Sequence, residues 1–247
     1  MSVGIEPAVA GSREDREQRI VKALEEAIIF GRLAPGTRLT EDALLARFAV
    51  TRHFVRQALV QLEAMGIVVR ERNKGATVRL LSPEEVSQIY AVRELLQRQA
   101  ALWIPLPAPG ALIAELTAIN REYSRHVDDG FLRGVHESND RFHIALFRAC
   151  GNQYLLDSIK LYMRLTLPVR ARTMASHQRL IVSREHHRMM IEMMKGSDNW
   201  VLAQLCVDHI QPSKQEYLGG VEYSGDDRPT MPGAREIRLA GEDQMPE

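Results

Sequence analysis

The sequence predicts a mainly α-helical protein in two parts: three short helices closed by a β-hairpin, then an antiparallel helix bundle. Three observations carry this prediction. Apolar residues recur at helical spacing, as in "REDREQRIVKALEEAIIFG", where Ile20, Leu24, Ala27 and Ile28 share one face. Two β-like runs, "IVVRE" and "ATVRL", flank the turn "RNKG". Downstream there is neither strand–helix alternation nor an internal repeat, which excludes a parallel sheet and leaves a bundle.

Each element has its own start and stop signals. Gly31 ends the first helix, and Pro35-Gly36 makes the turn after it. Thr40 is a good cap for "EDALLARF", with Glu41 and Asp42 in the first turn, where the helix dipole favours acids. Thr51 caps a helix over 52–65, and Gly66 stops it. Ser82-Pro83-Glu84-Glu85 is a second helix start, with a cap, a proline at the first position and two acids. The domain boundary is placed there. It gives a flexible leader at 1–12, a first domain at 13–80, a second at 81–222 and a flexible polar tail at 223–247. Bundle helices are predicted near 84–103, 110–126, 130–149, 152–174, 180–195 and 198–217.

Composition bounds the function. The chain has 247 residues, 45% of them hydrophobic, enough for one or two ordinary cores. Net charge is zero, yet Arg13 to Leu80 holds thirteen Lys/Arg against nine Asp/Glu, a surplus of four that points weakly to a polyanion. Cys150 and Cys206 form no Cys-x-x-Cys pair and read as reduced thiols of a cytoplasmic protein. The N-terminus has no signal-peptide pattern, and the most apolar stretch, "AALWIPLPAPGALIA", is cut by three prolines, so no membrane partner is expected.

The first domain carries the clearest chemistry. The short Ala49-Val50 turn lets the second and third helices cross steeply. Val55, Leu59 and Leu62 face inward, and Arg52, His53, Arg56 and Gln57 stand at the N-terminal end of the third helix. Recognition helices offer that end to base edges in the major groove, and arginine's fork matches the two acceptors of guanine. The hairpin tip from Arg70 to Gly75, including Arg72 and Lys74, can meet phosphates or the minor groove of the same duplex, and Gly75 permits close backbone approach. Solvated arginines on an ordinary amphipathic helix are the competing reading. The ordered set of elements favours a winged helix-turn-helix.

The stretch "GRLAPGTRLTEDALLARFAVTRHFVRQALVQLEAMGIVVRERNKGATV" resembles the DNA-binding domain of GntR-family bacterial transcription regulators. Pro35, Gly36, Leu39, Glu41, Val50, Arg52, Val55, Arg56, Leu59, Gly66 and Gly75 all fall on the family pattern. The resemblance implies base or phosphate contacts at Thr51, Arg52 and Arg56, and wing contacts from Arg72 to Gly75. The chain departs from the pattern at Asp42, where the family often has a DNA-contacting arginine.

Three further stretches, "AVRELLQRQAA", "NDRFHIALFRACGN" and "EHHRMMIEMMKGSDNWVLAQLCVDHI", resemble the FadR-type C-terminal (FCD) effector domain. That resemblance implies a small carboxylic acid bound in the bundle core, often beside a divalent metal held by one Asp and three His. The residues themselves converge. Asn139 and His143 are four apart on one helix face, Asp140 is three from the same His, and His187 and His209 flank the turn of a helical hairpin. With Asn139 or Asp140 supplying an oxygen, this set suits Zn, Ni, Mn or Fe. The family's carboxylate position is Asn139 here. His136 and His186 read as surface or supporting residues. Arg93 falls within the apolar stripe of Val86, Ile89, Tyr90, Leu96 and Ala100, so its charge needs an acidic partner or a bound anion. The resemblance places an effector there.

The expected function is a metabolite-responsive transcription regulator, read as a repressor, with activation left open by the sequence. It would act as a homodimer on double-stranded operator DNA, because two half-sites need two recognition helices. The alternatives are a metal-sensing or ligand-independent regulator and, less favoured, a metal-dependent hydrolase. No HExxH, nucleophile elbow or Gly-rich phosphate loop supports an enzyme.

Overall fold

The computed structural model describes residues 13–71, 75–174, 176–219, 222–224 and 228–230. The leader at 1–12 and the wing-tip candidates Arg72 and Lys74 lie outside the described residues.

The N-terminal half is α1 (Arg13–Ile29), β1 (Arg38–Leu39), α2 (Glu41–Phe48), α3 (Arg52–Ala64), β2 (Val68–Glu71) and β3 (Gly75–Val78). The Thr40 side chain accepts from the Ala43 N–H and caps α2 as expected. Thr51 precedes α3 in extended backbone but makes no side-chain cap bond. The expected hairpin is a three-stranded antiparallel sheet in the order β1-β3-β2, because Arg38 and Leu39 pair with Thr77 and Ala76. Val55, Leu59 and Leu62 are buried as the spacing requires, against Leu24 and Ile28 of α1.

The effector half is α4 (Pro83–Leu102), α5 (Gly110–Asp128), α6 (Leu132–Arg148), α7 (Gln153–Leu165), α8 (Leu167–Met174), α9 (His177–Met193) and α10 (Asn199–Leu218). Ser82 and Glu85 form a reciprocal capping box with Pro83 in the first turn, so α4 starts where the local chemistry dictates. The single helix expected over 152–174 is two, broken at Thr166. Pro168 explains the break: it has no N–H to bond the Arg164 carbonyl, and its ring would crowd that carbonyl. Within the stretch read as a flexible tail, β4 (Glu222–Ser224) and β5 (Arg228–Thr230) pair antiparallel.

The halves touch directly. The Arg133 side chain of α6 bonds Glu26 of α1, which is buried, and Lys22 pairs with Glu137 at 3.4 Å. At the junction, the Tyr217 hydroxyl accepts from the Leu81 N–H at 3.2 Å and donates to the Leu81 carbonyl at 2.9 Å.

Gly75 has φ +90°, and a Cβ there would lie 2.3 Å from the Leu39 carbonyl oxygen. Gly36 has φ +84° but open space around it. Gly36→Ala should therefore cost about 1 kcal/mol of stability from backbone strain alone. Gly75→Ala should cost about 1–3 kcal/mol more, from overpacking against β1. Urea denaturation of both variants measures the difference, and equal losses would disprove the close approach.

Candidate functional site

The first site is the basic face formed by α2, α3 and the sheet. Arg52 and Arg56 project from the first turn and a half of α3 toward the start of α2. Arg56 Nε donates to Glu41 at 2.9 Å, and Arg52 Nη2 donates to Asp42 Oδ1 at 2.9 Å. These residues line one cleft with Arg38, Thr40 and Gly75. His53 and Gln57 are exposed on the same helix, as is Thr51 just before it. The structure thus brings the candidates on α3 together with Gly75. It adds Arg38, whose signal was only one more basic residue after the Pro-Gly turn.

The second site is a pocket inside the bundle. Its walls include Arg93 and Gln97 of α4, Asn139 and His143 of α6, and Arg170 and Thr173 of α8. Arg179 and His186 of α9 and His209 of α10 add to the polar lining, as do Ser183 and Ser213. The α9–α10 hairpin and α6 bring three imidazoles together. His143 Nε2 lies 3.0 Å from His209 Nε2 and 3.4 Å from His187 Nε2. One potential ligand atom from each falls within 4.8 Å of the others. His187 stacks on Phe142, with ring centres 4.1 Å apart, and meets Tyr123 edge-on.

Such packing favours neutral rings. Burial, then His186, pulls the His187 pKa down to about 3. Burial, then the neighbouring imidazoles and the Arg93 charge, holds His143 and His209 well below the ordinary histidine value. Neutral imidazole is the form that ligates metal, and three ring nitrogens this close together could share a divalent ion. The donor set fits on nitrogen. On oxygen, Asn139 lines the pocket while Asp140 does not.

Asp140 instead accepts from Arg170 Nη2 at 2.9 Å and lies 3.8 Å from His136 Nε2. Burial opposes its ionisation, but Arg170 and His136 outweigh burial and keep its pKa below the usual carboxylate range. His136, read as a surface or supporting residue, belongs to this network.

Arg93 is buried at 6% exposure. Its Nη1 donates to the Thr166 hydroxyl at 2.8 Å, its guanidinium lies over the Tyr90 ring, and its Nε has no hydrogen-bond partner. Among the described residues no carboxylate forms an ion pair with it. Burial draws its pKa below the ordinary guanidinium value, although arginine keeps its proton in proteins.

Arg170 and Arg179 were missed as pocket residues. The signal for Arg170 was present: it falls between buried Leu167 and Met174 at helical spacing, a charge inside an apolar stripe. Arg179 pairs with Glu216 at 3.4 Å and gave no such signal.

Residues 16–78 match the family described as bacterial regulatory proteins, gntR family, and residues 88–212 match the FCD domain. The chain belongs to the GntR family, in its FCD-domain branch. Members are DNA-binding transcription regulators, and the hydrolase alternative finds no support. The gluconate operon transcriptional repressor of Bacillus subtilis (strain 168) is 27% identical over 241 residues, covering 89% of this chain and 96% of the relative. The Nta operon transcriptional regulator of Aminobacter aminovorans is 25% identical, covering 74% and 86%. A GntR transcriptional regulator from Rhodococcus sp. RHA1 shares the fold at TM-score 0.69 and 21% identity, over 84% of this chain and 100% of that one. E. coli McbR/YncC does so at 0.64 and 18%, over 86% and 97%. No helix among the described residues is long and apolar enough to cross a membrane.

The geometry separates the two candidate oxygen ligands. Asp140→Asn should cost about 2 kcal/mol, because it leaves Arg170, with only 11% of its side chain exposed, without its counter-charge. Asn139→Ala should cost less than about 1 kcal/mol, as a pocket-lining residue outside the core. Denaturant melts of the two variants compare them directly. A costlier Asn139→Ala would reverse the assignment.

Proposed function

We propose that this protein is a homodimeric repressor whose grip on operator DNA changes when a small organic acid binds at Arg93 beside a divalent metal. The observation that carries the reading is the buried Arg93 guanidinium, which faces a pocket with no acidic partner of its own. A carboxylate can take two parallel hydrogen bonds from arginine and supply that missing charge. His143, His187 and His209, with the Asn139 amide oxygen, would hold the metal. Bound there, it would act as a cationic anchor for the acid's second oxygen. Three imidazoles and an amide bring no negative charge, so metal and acid each favour the other's binding. The relatives fit this reading, being named for operons of gluconate and Nta. A regulator that senses metal alone is the second reading, supported by the converging Nε2 atoms, but Arg93 would repel a lone cation.

Residues 13–80 are the proposed DNA-reading unit and 81–222 the effector and dimerisation unit. Arg52 and Arg56 would read bases, with His53, Gln57, Thr51 and the wing residues Arg72, Lys74 and Gly75 around them. A dimer follows from one recognition helix per chain and two half-sites per operator. Coupling has a physical path. Helix α6 carries Asn139 and His143 on its pocket side, and Arg133 and Glu137 bound to α1 on the other. An effector acts only through unequal affinity for the DNA-bound and free forms.

Two experiments test this. Thermal-shift screening of mono- and dicarboxylates and sugar acids, on protein purified without an affinity tag and analysed for metal, should find acids that stabilise the wild type. Arg93→Met should fold as stably as wild type, since apolar replacement of a buried charge is often neutral, yet lose that response. Acids that stabilise Arg93→Met equally would make Arg93 structural. In gel shifts with DNA upstream of its own gene, Arg56→Ala should weaken specific binding by roughly ten- to a hundred-fold and relax base preference. Unchanged selectivity would remove α3 from the base-reading role.

A further inference from the structure

Asp42 stands in the first turn of α2 with 84% of its side chain exposed, at the mouth of the cleft that Arg38, Arg52 and Arg56 line. For α2 it is only a second first-turn acid, which adds little at so exposed a position. Thr40 already caps the helix through the Ala43 N–H. Glu41 already supplies a first-turn acid and is the inner one, 20% exposed, engaged with Arg56 and 3.6 Å from Arg52 Nη1. An ion pair as exposed as Asp42–Arg52 contributes little to stability. On a face proposed to approach phosphates, an exposed carboxylate, even one paired with Arg52, also opposes binding. Its presence is explained if it acts on the DNA.

We infer that Asp42 is a specificity-determining residue that orients Arg52 for one guanine and selects an amino-bearing base, cytosine or adenine, at a neighbouring position. This rests on the base-reading role proposed for α3. Asp42 Oδ1 accepts one N–H of Arg52 Nη2 at 2.9 Å and so fixes the guanidinium relative to α2. Arginine has five N–H donors, so enough remain for guanine O6 and N7. With Oδ1 engaged and the side chain 84% exposed, the second carboxylate oxygen is left as a pure acceptor for a base edge. Cytosine offers N4–H₂ and adenine N6–H₂, and both are accepted. Guanine and thymine offer acceptors at their major-groove edge and are rejected. The pair would read two adjoining positions, one by attraction to Arg52 and one mainly by repulsion from Asp42.

The test is selection of bound duplexes from a randomised pool, by full-length wild type, Asp42→Asn and Asp42→Ala. Thermal melts serve as the folding control for these exposed-site variants. The wild type should select a guanine beside a position that excludes guanine and thymine in each half-site. Both variants should lose that exclusion by about tenfold or more, keep the remaining base preferences and bind unrelated DNA more tightly. Identical preference profiles would overturn the inference. A uniform rise in affinity without altered preference would overturn it too, leaving Asp42 as a repulsive charge only. A wild type that selects no sequence would overturn the base-reading role of α3 and this inference with it.

Discussion

A guanidinium buried without an ion-paired carboxylate is the constraint around which the effector half is arranged. Arg93 must be solvated by what the bundle supplies. The Thr166 hydroxyl and the Tyr90 ring serve it, and both depend on backbone placement. Thr166 is available because the helix breaks there ahead of Pro168, and its hydroxyl in turn donates back to the turn that ends α7. The positive field also acts on the imidazoles. Burial first, then His187 and the Arg170 and Arg93 charges, disfavour a protonated His143, so its ring stays neutral. One buried cation thus uses the hydroxyl that the break before Pro168 leaves free, and adds to the burial that keeps His143 neutral.

The DNA-facing side follows the opposite rule. Its arginines are themselves more than half exposed and pair with the half-buried Glu41 and the exposed Asp42, so these pairs contribute little to stability. In the Asp140–Arg170 pair the arginine is the sheltered partner, with 11% of its side chain exposed, so losing the carboxylate there costs more. Strong and weak ion pairs therefore sit in different places for different purposes. The sheltered one keeps the bundle in shape, and the exposed ones contribute little to it.

Local chemistry made much of this legible. Caps at Thr40 and Ser82, the Pro35-Gly36 turn and the helical spacing of Val55, Leu59 and Leu62 predicted their elements, because those signals act within a few residues. Arg93 and the histidines stood out because a polar residue in an apolar stripe needs an explanation. What remained hidden was set at long range or by single atoms. A two-residue strand at Arg38–Leu39 has no periodicity to detect. Asp140 and Asn139 are adjacent in sequence, and only the position of Arg170, thirty residues on, decides which of them faces the pocket. Pro168 was readable as a helix breaker, yet the apolar spacing around it masked the interruption.

The Tyr217 hydroxyl engages both the N–H and the carbonyl of Leu81, residues separated by 136 positions. The bundle is thereby closed on itself, the residue that leads into α4 being clasped by the final turn of α10. Any displacement of Leu81 relative to α10 has to break both hydrogen bonds or carry that final turn along, so the C-terminal end of the bundle is mechanically part of the junction.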